Sequence, residues 1–298
     1  MEPVIQIKDL SFRYENGVEA ISKINLEVHK GETVVLIGAN GAGKSTLLLL
    51  MRGILGDLDG RTMIAGKILD SKKKVEEIAA EVGLVFQNPD DQLFCPSVFD
   101  DVAFGPINMG LSREEVGDRV RMALAAVGLT GYERRVPHQL SDGEKKRVSL
   151  ATIYAMKPRI LLLDEPTSHL DPSARLDVVR LIEEFDGTRV IATHDFEFIL
   201  KAATRVILMS RGEIKADGLP VEILTNETLL RENGMEMPLV VRYLMALQSG
   251  DHEALHEHEH EHIYHYHTQD GVSERRVIRH SHPHDHTDTK WPIHESGE

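Results

Sequence analysis

The sequence predicts an α/β fold, and three observations carry that expectation. Four short runs, at residues 33–37, 81–86, 159–163 and 189–192, are apolar almost throughout, the composition of parallel strands buried on both faces. Apolar residues then recur at helical spacing, as at Val116, Val120, Leu124 and Val127 and again at Val178, Leu181, Ile182 and Phe185. The beginning of the chain instead alternates, at residues 4–8 and 24–28, as short antiparallel strands do.

The 298 residues are 41% hydrophobic, enough for one large core or two modest ones. No apolar stretch approaches the roughly 18 to 20 residues of a membrane-spanning helix, and Met1, Glu2 and Pro3 do not begin a signal peptide. The expected compartment is therefore the cytoplasm. Cys95 is the single cysteine and cannot form an intrachain disulfide. The formal net charge of −14 argues against nucleic acid as a partner, because phosphate backbones are held by clustered lysine and arginine. Half of that charge lies beyond residue 250, where 11 acidic side chains face 4 basic ones.

In chain order, the alternating segments lead through Phe12 to Tyr14, a strand-end aromatic able to stack on an adenine face. The run at 33–37 is followed at once by GANGAGKST, residues 38–46, and then by apolar residues 47–51. Glycines let backbone N–H groups converge on an anion, and the following helix adds the positive end of its dipole. The stretch reads as a phosphate-binding loop. Gly38, Asn40, Gly41, Gly43 and Thr46 belong to its cradle, Lys44 reaches the β- and γ-phosphates, and Ser45 coordinates Mg²⁺.

A hairpin-like stretch at 65–69 precedes the strand 81–86, which ends at Gln87, where a sheet of this class meets its ligands. Ser97 caps a short helix expected to stop at Gly105 and Pro106, and Ser112 with Glu115 offers a capping box for the next, closed by Gly128. A second box, Ser141 to Glu144, opens a helix at 140–148, and a capped start by itself accounts for Ser141, Asp142 and Glu144. The strand 159–163 runs into Asp164 and Glu165. Two carboxylates at the end of a buried strand are costly unless a metal or a reaction uses them. Asp164 suits an outer contact to Mg²⁺, and Glu165 suits a base that orients attacking water. His194 directly follows the last buried strand, where the other ligands converge. A closing hairpin at 205–215 is followed by helical patterns at 220–230 and 238–247, the second with Leu239, Tyr243, Leu244 and Leu247 on one face.

Together these parts resemble the ATP-binding cassette family of ATPases. Residues 38–45 are similar to its Walker A loop, 160–165 to its Walker B strand and 140–144 to its signature sequence. Gln87, Asp171 and His194 stand where the family has its Q-loop, D-loop and H-switch, and Tyr14 where it has an adenine-stacking aromatic. The resemblance spans residues 1–218. It implies a P-loop NTPase core of α/β class, an antiparallel β subdomain and a helical signature subdomain at about 88–158. A helical extension at 219–250 and a disordered, histidine-rich tail at 251–298 complete the expected organisation. The resemblance also implies ATP and Mg²⁺ as cofactors, catalysis through Lys44, Gln87, Glu165 and His194, and Mg²⁺ held by Ser45, Gln87 and Asp164. Asp171 joins the nucleotide-binding set. A head-to-tail dimer, homodimer or heterodimer, would close ATP between one subunit's Lys44 and the other's Ser141 and Gly143.

Residues 85–94 and 97–106 are similar to the ATPases of energy-coupling-factor transporters. That resemblance implies peripheral attachment at the cytoplasmic face of a membrane, a transmembrane coupling subunit gripped near Gln87, and a separate membrane subunit that captures substrate. One departure matters: where the family has Ser-Gly-Gly-Gln, this chain has Ser141, Asp142, Gly143 and Glu144, placing two acids near an incoming phosphate.

The tail holds 12 of the 16 histidines. His256, His258, His260, His262, His265 and His267 form one cluster, and His280, His282, His284 and His286 a second. Imidazole and carboxylate at this density suit Zn²⁺, Ni²⁺, Co²⁺ or Cu²⁺. Joined to the resemblance, the tail points to an ATPase powering import of cobalt or nickel. The alternatives are a vitamin importer whose tail is incidental and, from another class, a soluble cassette ATPase outside transport.

Overall fold

A computed structural model of the chain describes residues 2–56, 62–249, 259–267 and 273–281. The chain divides into two compact units, Met1–Met237 and Pro238–Glu298.

In the first unit, β1 (Pro3–Arg13) and β2 (Glu19–His29) pair antiparallel. The two segments expected at 4–8 and 12–14 are one continuous strand. Its register shifts between Ile7 and Leu10 and again before Phe12, and these irregularities keep Ile5, Ile7 and Leu10 all buried. Next come β3 (Thr33–Ile37), buried at every position, and α1 (Lys44–Arg52). The hairpin of β4 (Thr62–Ile64) and β5 (Lys67–Ile68) joins the first sheet in the order β2-β1-β4-β5. Helix α2 (Lys72–Ile78) leads to β6 (Val82–Val85).

Three helices follow: α3 (Val98–Asn108), α4 (Arg113–Ala126) and α5 (Asp142–Tyr154). Capping boxes at Ser112 and Ser141 form as expected. The stop expected at Gly105 and Pro106 does not occur, and α3 runs through both to Asn108. Pro106 leaves the Val102 carbonyl without the amide four residues on, yet the helix continues through it with the proline ring buried, and Gly105 makes room for Met156, whose Cγ would lie 2.6 Å from an added Cβ.

The chain continues through β7 (Ile160–Asp164), α6 (Pro172–Glu183), β8 (Thr188–Ala192), α7 (Phe196–Ala202), β9 (Arg205–Ser210) and β10 (Glu213–Gly218). The second sheet has the order β10-β9-β3-β8-β7-β6, parallel except for the edge strand β10. Leu47, Leu48 and Met51 of α1 pack in one core with Ile5 and Ile24 of the first sheet and Leu36, Leu162, Val190 and Ile207 of the second. The single helix expected at 220–230 is two, α8 (Pro220–Leu224) and α9 (Glu227–Glu232). Asn226 separates them because its side chain accepts from the Leu229 amide at 3.0 Å, starting a new helix rather than continuing the old one.

The second unit contains α10 (Leu239–Ser249) and two strands, β11 (Glu259–His267) and β12 (Ser273–Ser281), paired antiparallel in unbroken register. The composition predicts a disordered tail, and Glu259–His267 and Ser273–Ser281 depart from that by pairing, although a ladder of two strands is marginal in water by itself. The rest of the tail, and all of its side chains, lie outside the described residues. Among the described residues no helix is long and apolar enough to cross a membrane.

Candidate active site

The parallel strands align their carboxyl ends. Asp164 stands opposite Ala192, Leu36 opposite Ala192 from the other side, and Val85 opposite Leu163. The segments that leave β3, β6, β7 and β8 therefore emerge side by side, which is where open α/β sheets bind ligands.

After β3 the chain turns through Gly38, Gly41 and Gly43, all at positive φ. A Cβ on Gly38 would lie 2.2 Å from the Met209 carbonyl oxygen, and one on Gly43 2.6 Å from that of Ala20, so a side chain fits at neither. Helix α1 then starts with no side-chain cap, unlike α3 to α6, and its first N–H groups stay open toward the loop. Uncapped amides at a dipole's positive end suit an anion.

Lys44 is 8% exposed. Its Nζ donates to the carbonyls of Gly38 at 2.6 Å and Ala39 at 3.2 Å, and lies 3.3 Å from His194 Nε2. Burial lowers its pKa, opposed by the charges of Glu165 and Asp164. Ser45 hydrogen-bonds the Asp164 carboxylate, whose Oδ1 is buried without a partner among the described residues. Burial raises the pKa of Asp164 and of Glu165. Glu165 Oε2 accepts from the His194 amide at 3.4 Å, and its Oε1 is 3.6 Å from His194 Nε2. His194 is pushed down, by burial and then by Lys44. Tyr14 meets Thr46 Oγ1 at 3.0 Å through its hydroxyl, and Phe12 packs edge-on against its ring.

Tyr14, Asn40, Gly41, Gly43, Lys44, Ser45, Thr46, Gln87, Asp164, Glu165 and His194 all line a single cleft of about 570 Å³. Gly38, Ser141, Gly143 and Asp171, also predicted to bind nucleotide, do not line it. Ser141 caps α5, and Asp171 caps α6 by accepting from the amides of Ser173 and Ala174 at 2.9 and 3.1 Å. The signature acid Glu144 is occupied locally: it accepts from the Tyr132 hydroxyl at 2.7 Å and from the Ser141 amide at 2.9 Å. The tail histidines lie outside the described side chains.

Two residues escaped sequence reasoning. Ser168 lines the cleft and donates its hydroxyl to the Glu165 carbonyl at 2.9 Å. Lys146, buried within α5, donates to the carbonyls of Phe86 and Gln87, and burial pushes its pKa down to about 8. Its position on the stripe of buried Leu150 and Ile153 was the available signal, since a lysine there must find acceptors inside.

An uncapped glycine-rich helix start, an interior lysine and two desolvated carboxylates have the chemistry that suits a nucleoside triphosphate and a divalent cation. Residues 21–168 match the family described as ABC transporter. The energy-coupling factor transporter ATP-binding protein EcfA of Methanothermobacter thermautotrophicus is 46% identical over 254 residues, covering 84% of this chain and 82% of that protein. Among solved structures, cbiO1 from Clostridium perfringens, described as part of the ABC transporter complex cbiONQ, superposes with a TM-score of 0.68 at 34% identity. It matches 82% of this chain and 99% of its own. The ATP-binding cassette MJ0796, in a dimeric post-hydrolysis state bound to ADP and Pi, superposes with a TM-score of 0.65 at 26% identity over 72% of this chain and 98% of its own. The chain belongs to the ABC transporter family of ATPases. Within it, the chain is an ATP-binding subunit of the energy-coupling-factor type, and such subunits dimerise and work with membrane subunits.

Proposed function

We propose that this chain powers the import of a transition-metal cation, cobalt or nickel, by hydrolysing ATP as a peripheral subunit on the cytoplasmic face of a membrane complex. The cassette is read as residues 1–218, followed by a helical extension to 250 and the tail. Lys44 leaves the Gly38 and Ala39 carbonyls for the β- and γ-phosphates, while the loop amides hold their oxygens. The unpartnered Oδ1 of Asp164, beside Ser45, fits a divalent cation, which Ser45, Gln87 and Asp164 would hold. Bound Mg²⁺ supplies charge neutralisation to the phosphate oxygens. Glu165, made more basic by burial, takes a proton from the attacking water, and His194 orients the carboxylate through its amide. Tyr14 stacks on the adenine.

Ser141, Gly143 and Asp171 act from a second cassette, which accounts for their position away from this chain's own cleft. Exposed Phe94, Phe104 and Ile107, following the Q-loop, support docking of an apolar coupling element of the membrane partner. Phe94 and Phe104 already meet edge to face with centroids 5.3 Å apart.

The cargo reading rests on one observation, the concentration of 12 of 16 histidines beyond residue 250. Calorimetric titration of Co²⁺, Ni²⁺ and Zn²⁺ at fixed pH should show micromolar or tighter binding to the full chain. The same titration should fail with the ten histidines between 256 and 286 replaced by asparagine. Equal binding by both proteins removes the argument for metal and leaves the vitamin importer as the better reading.

A further inference from the structure

A packed interior accepts lysine reluctantly, because the ammonium must be desolvated and its three N–H donors all need acceptors. Lys146 is nonetheless only 2% exposed. Its Nζ meets three backbone carbonyls, those of Gln87 at 2.5 Å, Phe86 at 3.2 Å and Glu165 at 3.4 Å. Three donors thus face three acceptors.

Those carbonyls belong to two different strand ends. Phe86 and Gln87 leave β6, and Glu165 leaves β7. The side chains of Gln87 and Glu165 both line the nucleotide cleft, whereas Lys146 does not. Glu165 also sits at φ 43°, a region that residues with side chains enter only when held there. Its carbonyl is gripped by the Ser168 amide at 3.2 Å and hydroxyl at 2.9 Å in addition to Lys146. Neighbouring contacts fasten the Q-loop segment to the same helix. Lys145 pairs with Asp90 at 2.7 Å. The Gln92 carboxamide joins the Phe86 amide, at 3.2 Å, to Ser149 and Thr152 of α5, at 2.9 and 2.8 Å. Lys146 differs from both in reaching across to β7.

We propose that Lys146 is a positioning residue for ATP hydrolysis, a strut from the signature helix that fixes the backbones of Gln87 and Glu165 relative to each other. A displacement of α5 is thereby carried to the carboxylate that handles the attacking water. The proposal rests on the reading of Glu165 and Gln87 given above. Because Lys146 stands outside the cleft, its loss acts on turnover and spares nucleotide affinity.

The test uses the full-length chain, with kcat and KM for Mg·ATP and calorimetric binding of ATP. Lys146→Met keeps the stem and removes the donors. It should lower kcat about ten- to a hundredfold while ATP affinity stays within about twofold. Lys146→Arg, which keeps the donors, should recover much of the lost kcat. A Lys146→Met protein with wild-type kcat overturns the proposal, as do Met and Arg variants equally impaired in kcat and affinity. Should the Met variant not fold, Lys146→Gln decides: a lowered kcat with unchanged affinity supports the strut, and an unchanged kcat overturns it. Glu165→Gln in the same assay separates the two claims, since turnover retained there removes the role of Glu165 whatever Lys146 does.

Discussion

The Tyr132 hydroxyl donates to Oε1 of Glu144 at 2.7 Å, while Oε2 of the same carboxylate accepts from the amide and hydroxyl of Ser141 at 2.9 and 3.0 Å. One oxygen of this unusual signature acid is therefore spent on the start of its own helix and the other on Tyr132 in the segment before it. Tyr132 first, then the Ser141 amide, hold the Glu144 carboxyl below its ordinary range. A depressed folded-state pKa contributes stability that is present above the unfolded value of about 4.3 and is lost as pH falls through the lower folded value. Glu144→Gln, which preserves the capping box, should flatten that acid limb in thermal scans. ATP turnover at neutral pH should stay within about twofold of wild type. A tenfold faster enzyme would instead mean that the acid opposes the incoming phosphate.

Gly143 has a packing reason as well as a place in the signature. A Cβ there would lie 2.7 Å from Cβ of Ala174, at the start of α6, closer than two carbon atoms can pack. Gly143→Ala should cost about 1–3 kcal/mol in urea denaturation by driving α5 from α6. Adding Ala174→Gly should return most of it, less about 0.5–1 kcal/mol for glycine in a helix. Losses that simply add in the double mutant would show that the contact is not the cause.

Asp164 offers a prediction of opposite signs with and without ligand. Its carboxylate is desolvated, with Oδ1 unpartnered among the described residues, so the nucleotide-free protein bears a cost that a cation would offset. Asp164→Asn should raise the melting temperature of the free protein. The gain on adding Mg·ATP, about 2.7 kcal/mol at a hundred times Kd for wild type, should be largely lost. Thermal scans with and without Mg·ATP measure both effects, and a lowered melting temperature in the free variant would contradict the first.

The site was legible where one chemical pattern sufficed. Thr33–Ile37 and Ile160–Asp164 announce themselves because strands covered on both faces need apolar residues at nearly every position; Asp164 ends such a strand, and Gln87, Glu165 and His194 lie just beyond one. The boxes at Ser112 and Ser141 were equally plain, being local. Pro106 misled because a proline that costs a helical hydrogen bond can still be carried inside a helix when it is buried, and local sequence does not show that burial. Lys146 was hidden in a Lys-Lys-Arg run that reads as a solvated face, and its acceptors lie about 60 residues upstream and about 20 downstream. The positive φ of Glu165 leaves no trace in sequence at all.

Arg175 holds the residue next to His194, and its removal should be felt at both stability and rate. Its Nε and Nη2 donate to the two oxygens of Asp195 at 2.7 and 2.5 Å. Asp195 also accepts from Thr167 Oγ1 and caps α7 through the Phe198 amide, each at 3.1 Å. Burial works to raise the Asp195 pKa, but Arg175 and the Phe198 amide outweigh it and leave the carboxyl low. Arg175→Met strands a carboxylate only 9% exposed. Because Arg175 itself is partly open to water, the loss should fall to about 1–3 kcal/mol, below that of a wholly buried pair. Asp195 now contributes stability above its unfolded value of about 3.9, lost as pH falls through its lower folded value; without Arg175 the folded value rises, so in the variant that acid-side loss should shrink and be complete at higher pH. The loosened segment carries His194 with it, so kcat should fall while ATP affinity holds, and Arg175→Lys should recover part of both effects. Denaturation across acid pH together with steady-state hydrolysis reads each arm; a variant equal to wild type in kcat would detach the Arg175 and Asp195 pair from His194 and from the role proposed for it.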